Sequence, residues 1–445
     1  MPAITTKAGY INEHGPQVSL THACDPKPQN MKKEPQTDML GHGYHAADYH
    51  GSMKQPIYQT STYEFPNSQA GKDYFAWATG KEEMPEGAKM GNIYSRLGSP
   101  NTQLLEQRLA VLDNTEDALV FASGMAVISA TMIELATPNT VFLYTAPVYG
   151  GTHSFIDHYL HKYGVINHVV EHHKSAEEVV AEVKAAYPGL QVCAFFTETP
   201  ANPTMDLYSV KKARKIADAL GSEEHPVPVV VDNTYLGPTM SRQHENGADI
   251  VVYSVTKNLA GHSDVIAGAA TGKTAWINRL RVARTFIGGI LGPMDSWLIL
   301  RSLETFTLRI AAQQKTTHEV AAALAQHPAV KEVRYLGNLE QWSPQQAAFF
   351  KDEYQGTGSM IALHIHGDES AAFKVLDHLK VFRLGVSLGS TESLAEHPYS
   401  MTHSKVEDAV KEKLGITEGL IRLSIGLEAT SDLIADLNRS LDTII

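Results

Sequence analysis

The sequence predicts an α/β protein with a large domain built on a mainly parallel sheet, followed by a smaller α+β domain. Apolar runs and amphipathic stretches alternate from about residue 101 onward. The runs are unbroken in Val, Ile and Phe, as in strands covered by helices on both faces. Beyond about residue 300 a long helical stretch leads into strands separated by fewer helices.

Residues 1 to about 98 are rich in Gly, Pro, His and Asn and show little periodicity. PQVSLTHACDPKPQNMKKEPQTD reads as an irregular arm and KEEMPEGAKMGN as a polar loop or insertion. TQLLEQRLAVLD then spaces its leucines for an amphipathic helix, and DALVFASG is a strand running into Gly. TVFLYTAPVYGG repeats that plan. Ser175 and Glu178 form a capping box that opens the next helix. VCAFFTETP, a helix over Ser209–Leu220, VPVVVDNTY and DIVVYSVTK follow. One long helix is expected from SWLILRSLETFTLRIAAQQ onward. GSMIALHIHG, FRLGVSLG and GLIRLSIGLE read as strands, with helices around 369–380 and 430–444, the last capped by Thr430 or Ser431.

At 445 residues and 43% hydrophobic, the chain is long enough for two or three domains with substantial cores. A net charge of -12 without a basic block argues against nucleic acid and anionic membranes as partners. No apolar run reaches membrane-spanning length and the N-terminus lacks the order of a signal peptide, so a cytoplasmic location is expected. Cys24 and Cys193 are the only cysteines, and Cys193 falls in an apolar strand, which favours free thiols.

Ligands of open parallel sheets bind beyond the carboxyl ends of the strands. Those ends carry Ser123-Gly124-Met125, Tyr149-Gly150-Gly151, Glu198 with Asn202, Asp232-Asn233, and Ser254-Val255-Thr256-Lys257. Singly, each has an ordinary explanation: a strand-to-helix turn, a core Tyr, a helix-capping Asp, a surface Lys. Lys257 is the most informative. A half-buried Lys beside small hydroxyl residues is one of the few ways to make a nucleophilic amine near neutral pH. Together the set offers an amine for a Schiff base, a carboxylate for a pyridinium nitrogen, an aromatic ring for stacking and Gly-rich helix starts for a phosphate.

The stretches YSRLGSPNTQLLEQRLA, FASGMA, APVYGGT, ETPANPT, VVDNT, SVTKNLAGHSDVIAG, SMTHS and IRLSIGLE occur in that order. Through them the chain resembles the cysteine and methionine metabolism family of pyridoxal-phosphate enzymes. That family includes cystathionine lyases and synthases, methionine γ-lyases and O-acetylhomoserine sulfhydrylases. The likeness runs from about residue 57 to the end, and the first fifty residues and KEEMPEGAKM lie outside it. It implies the aspartate aminotransferase-like fold (fold type I) with a seven-stranded sheet. The implied domains are an N-terminal arm and interface segment over 1–98, a pyridoxal-phosphate-binding domain over 99–300 and a C-terminal α+β domain over 301–445.

By this resemblance Lys257 holds pyridoxal 5'-phosphate as a Schiff base and then shuttles protons. Ser123, Gly124, Met125, Ser254 and Thr256 surround the phosphate. Asp232 pairs with the pyridinium nitrogen, Asn202 meets the ring hydroxyl, and Tyr149 stacks on the ring and protonates the leaving group. Tyr94 and Arg96 reach the phosphate of a neighbouring subunit, which implies a homo-oligomer with shared sites, a dimer at least and by family habit a tetramer. Arg422 clamps the substrate α-carboxylate, and an unpaired Arg inside an apolar strand would be costly without such a ligand. Ser387 and Val386 complete the substrate side, and no metal is expected.

Val386 stands in GVSLG where cystathionine lyases and synthases commonly carry Glu. With EHPYSMTHS it resembles methionine γ-lyase, from which Gly151 departs, because those enzymes carry Cys there. The expected activity is γ-elimination from a γ-substituted L-amino acid of methionine, canavanine or homoserine-derivative type. The alternative is γ-replacement on an activated homoserine ester. Two other classes fit less well. GAATGKT at 268–274 lacks the first Gly of a nucleotide phosphate loop, since position 267 is Ala. His42, His45 and His50, and the pair His158 and His161, have no carboxylate or Cys spaced to complete a zinc set.

Overall fold

The computed structural model describes residues 33–78, 80–88 and 90–445. Its larger sheet has seven strands: β1 (Asp117–Phe121), β2 (Val141–Thr145), β3 (Ile166–Val170), β4 (Val192–Glu198), β5 (Val229–Asp232), β6 (Ile250–Tyr253) and β7 (Gly268–Gly272). They lie in the order β1-β7-β6-β5-β4-β2-β3. Every pairing is parallel except the two made by β7. Consequently β1, β2, β4, β5 and β6 all point their carboxyl ends the same way.

Helices α1 (Pro35–Gly41), α2 (Ser68–Ala78) and α3 (Pro100–Leu112) precede the sheet. Within it come α4 (Gly124–Leu135), α5 (Gly150–Phe155), α6 (Ala176–Ala186) and α7 (Val210–Leu220), and α8 (Thr274–Ile287) follows β7. The period-2 geometry of a strand explains why the apolar runs are unbroken. Leu119 and Phe121 of β1 join Val127 and Ile128 of α4 and Ile277 and Leu280 of α8. The alternate residues Ala118 and Val120 join Leu104, Leu105 and Leu109 of α3 on the opposite face. Each fully buried aliphatic side chain of this kind contributes roughly 1.5–3 kcal/mol relative to exposure.

Helices α9 (Pro293–Leu303) and α10 (Phe306–Leu324) lead to the second sheet. Its strands are β8 (Val330–Arg334), β9 (Met360–Ile365), β10 (Arg383–Leu384), β11 (Leu394–Glu396) and β12 (Leu420–Ser424), ordered β10-β11-β12-β9-β8. Only β10 with β11 is parallel. With helices Glu369–His378 and Thr430–Leu441 this is an α+β arrangement.

Several expectations need correction. The long helix is two helices, because the Ser302 carbonyl takes the Thr305 N–H at 3.2 Å and the Arg309 guanidinium at 3.1 Å. Of FRLGVSLG only Arg383–Leu384 is strand. The Val386 and Ser387 carbonyls are taken by Arg422, at 3.3 and 3.0 Å, rather than by a neighbouring strand. The last helix begins at Thr430, but its N-cap is Ala429, and the Thr430 hydroxyl donates to Thr316. GAATG is the buried strand β7, and Lys273 caps α8, so that stretch is no phosphate loop. Helix α2 and strands β3, β7, β8 and β11 were not anticipated, and α1 begins inside the expected arm. Cys24 lies outside the described residues, and Cys193 is a free thiol.

Candidate active site

The carboxyl ends of β1, β2, β4, β5 and β6 open onto one cavity of about 340 Å³. After β1, Ser123 N-caps α4, its Oγ accepting the Ala126 N–H at 3.0 Å. The amides of Gly124 and Met125, in the first turn of the helix, have no intrahelical partners and favour an anion. Gly124 packs on the end of β6. A Cβ there would lie 2.9 Å from both Cβ and Oγ of Ser254, so the two segments close up only around Gly. Thr256 lines the cavity too, but its hydroxyl donates to the Ala267 carbonyl at 3.1 Å and accepts the Ala267 N–H at 2.9 Å. Its proton is therefore already engaged.

Asp232 ends β5 and is 5% exposed. Thr234 donates twice to Oδ1, from its N–H at 3.0 Å and its hydroxyl at 2.6 Å. Oδ2 accepts no hydrogen bond among the described residues. Burial pushes this carboxyl up to about 6, against those two hydrogen bonds. Glu198 ends β4 beside it, and burial, then the Asp232 charge, push Glu198 well above the usual carboxylate range. Glu198 holds two neighbours by their backbones. Its Oε2 accepts the Tyr149 N–H at 2.7 Å and its Oε1 the Asn202 N–H at 3.0 Å.

Tyr149 N-caps the short helix α5 and is 39% exposed at the cavity wall. A Cβ on Gly151 would come within 2.6 Å of its ring and 3.1 Å of Met125 Sδ. With Tyr149 in this position, Cys does not fit at 151. Asn202 Oδ1 accepts from Tyr235 Oη at 2.7 Å and from Arg422 Nη1 at 3.1 Å.

Lys257 lies in the turn after β6, and its Nζ donates to Ser387 Oγ at 3.1 Å. Burial, then the Arg422 charge, push its amine down to about 8, with Glu396 opposing. Arg422, on β12, is buried but not unpaired as its strand setting suggested. Its Nη1 meets Glu396 Oε1 at 2.7 Å. Val386 and Ile266 supply apolar wall, Val386 being 58% exposed. Tyr94 and Arg96 do not line this cavity. Arg96 Nη1 donates to the Thr285 carbonyl at 2.9 Å, and its guanidinium lies 5.8 Å from the Tyr94 ring centroid.

The sequence profile of the Cys/Met metabolism PLP-dependent enzymes matches residues 36–442. The chain belongs to this family. An L-methionine γ-lyase of Pseudomonas putida is 36% identical over 91% of this chain and 96% of its own. Among solved structures, cystathionine γ-lyase of Lactobacillus plantarum complexed with L-serine is similar at TM-score 0.80 and 30% identity, over 93% of this chain and 99% of that one. Cystathionine γ-synthase of Xanthomonas oryzae, with aminoacrylate and cysteine, is similar at TM-score 0.81 and 27% identity, over 93% and 98%.

As a Cys/Met metabolism enzyme the chain takes pyridoxal phosphate as its cofactor and has the type I fold. The residues present fit that group. The cradle at Gly124 and Ser254 has amides for a phosphate, Asp232 keeps a bare Oδ2 for a ring N–H, and Lys257 offers an amine already shifted toward neutrality. Sequence reasoning missed Thr234, Tyr235 and Glu396. Thr234 and Tyr235 stand two and three residues after Asp232, inside VPVVVDNTY, and were legible as its neighbours. Glu396 opens EHPYSMTHS, but no local pattern pointed to its partner, which is 26 residues away along the chain and meets it only across the β11–β12 ladder. Among the described residues no three His, Cys, Asp or Glu side chains form a metal set, and no helix is long and apolar enough to cross a membrane.

Proposed function

We propose that this enzyme catalyses γ-elimination from a γ-substituted L-amino acid, consuming one water and releasing the γ substituent, ammonia and 2-oxobutyrate. The observation that carries the reading is the apolar, open Val386 on the cavity wall, next to Ser387, which holds the Lys257 amine. A Glu there would hold the distal ammonium of cystathionine; Val suits a substituent held by packing. Bound pyridoxal phosphate supplies an electron sink for negative charge that develops on the substrate carbons. Lys257, with its amine near 8, takes the proton from Cα and carries the second proton from Cβ. Asp232 holds the proton of the ring nitrogen, and Asn202 meets the ring hydroxyl. Ser123, Gly124, Met125 and Ser254 hold the phosphate, with Thr256 as their support. Tyr149 covers the ring and donates a proton to the departing group. Arg422 orients the α-carboxylate.

Tyr94 and Arg96 serve the phosphate of a second copy, in a homodimer or a tetramer of such dimers, and the enzyme works in the cytoplasm. The substrate is of methionine, canavanine or homoserine-derivative type. Likeness to a cystathionine γ-synthase structure favours one alternative, γ-replacement on an activated homoserine ester. A panel of methionine, canavanine, cystathionine and O-acetylhomoserine, with and without added thiol, separates the two. Elimination predicts 2-oxobutyrate and ammonia without thiol. A thioether formed faster than 2-oxobutyrate at modest thiol, or a preference for cystathionine, contradicts it.

A further inference from the structure

Arg422 already has a counter-ion within its own chain. Glu396 faces it directly across the β11–β12 ladder, and the two are 0% and 2% exposed. Besides Arg422 Nη1, Glu396 Oε1 accepts the Thr402 hydroxyl at 3.2 Å, while its Oε2 is buried without a partner. The guanidinium is further held by neutral oxygens: Asn202 Oδ1 on Nη1, and the Ser387 and Val386 carbonyls on Nη2. Arg422 Nε is buried and unpartnered. The pair is therefore neutral and tightly oriented before any substrate arrives. A second carboxylate brought to the same guanidinium is attracted by Arg422 and repelled by Glu396, in surroundings that screen neither well.

We propose that Glu396 is a positioning residue that also sets substrate affinity. It fixes the Arg422 guanidinium through Oε1, and its charge competes with the substrate α-carboxylate for that same cation. This rests on the reading of Arg422 as the carboxylate clamp. Simple monocarboxylates and the 2-oxo acid product are then held weakly. Amino acids, which are also held through their nitrogen, tolerate the competition. The site thus discriminates by chemical class and sheds its product.

Glu396→Gln keeps an acceptor for Arg422 and removes the charge, whereas Glu396→Ala removes both. Binding to the holoenzyme is read with L-norleucine, which has no γ leaving group, through the cofactor absorbance, and with propionate as its competitor. Glu396→Gln is expected to tighten both ligands by about tenfold, an effect typical of removing one competing charge. It should lower KM for a substrate, and Glu396→Ala should bind more weakly than Glu396→Gln. Unchanged or weaker binding in Glu396→Gln overturns the proposal. Should that variant not fold, Glu396→Asp keeps the buried charge but withdraws it from Nη1. It is then expected to tighten propionate by about threefold, a smaller loss of competition, and unchanged or weaker binding overturns the proposal equally. Arg422→Ala separates the two readings. Propionate competition that survives it removes the clamp and Glu396's role together. Competition lost there, without tightening in Glu396→Gln, removes only the role of Glu396.

Discussion

Replacing Lys257 by Met should stabilise the cofactor-free protein at neutral pH, although it destroys the nucleophile. Burial and the Arg422 charge bring the Lys257 amine from its ordinary 10.5 down to about 8. The unfolded chain therefore binds this proton more tightly than the folded one, and a charged Lys257 costs stability. The cost is present in full below pH 8 and fades as pH rises from 8 to 10.5. At about 1.36 kcal/mol per pKa unit, it comes to about 3 kcal/mol at pH 7 and about 2 kcal/mol at pH 9. With roughly 400 residues unfolding at about 2.1 cal/mol/K each, 3 kcal/mol raises Tm by roughly 3–4 °C. The assay is thermal unfolding of cofactor-free wild type and Lys257→Met at pH 7 and pH 9. A variant less stable than wild type at pH 7, or an advantage that grows toward pH 9, would refute the reasoning.

Val386→Glu should raise kcat/KM for cystathionine relative to methionine. Because the position is 58% exposed, screening limits the gain to about 1 kcal/mol, or about fivefold, and an unchanged ratio would remove Val386 from specificity. Gly124→Ala should weaken pyridoxal-phosphate retention, measured by dialysis against buffer, since its Cβ would meet Ser254 at 2.9 Å. Wild-type retention would show that the cradle gives way freely. Arg96→Ala should also lose cofactor, and mixing it with Lys257→Ala subunits should restore some activity, because a mixed dimer contains one intact site. Absence of rescue, with subunit exchange shown separately, counts against a shared phosphate site.

Strands β1, β2, β4, β5 and β6 were legible because they are covered on both faces, which makes each a continuous apolar run that ends abruptly in polar residues, whereas β3 (INHVV) is half-exposed and β7 (GAATG) carries no bulky apolar run. Those ends proved to be the cavity lining: Ser123, Tyr149, Asn202, Asp232, Ser254 and Lys257 all line it. Strand β11 was illegible because three residues carry no period, and β8 because its VKEVR is half-exposed and charged. The break between α9 and α10 depends on the Arg309 guanidinium returning to the Ser302 carbonyl, a contact that no local pattern announces. Arg422 shows the same limit at the site. Its cost as a buried charge was apparent from the strand around it, but the sequence did not reveal that Glu396 meets that cost.

Borohydride reduction of the holoenzyme, followed by proteolysis and peptide mapping, tests most directly whether the amine after β6 is the nucleophile. The account predicts that the cofactor is fixed to the peptide containing Lys257 and to no other. Label on a different lysine, or undiminished labelling of Lys257→Ala, would contradict it.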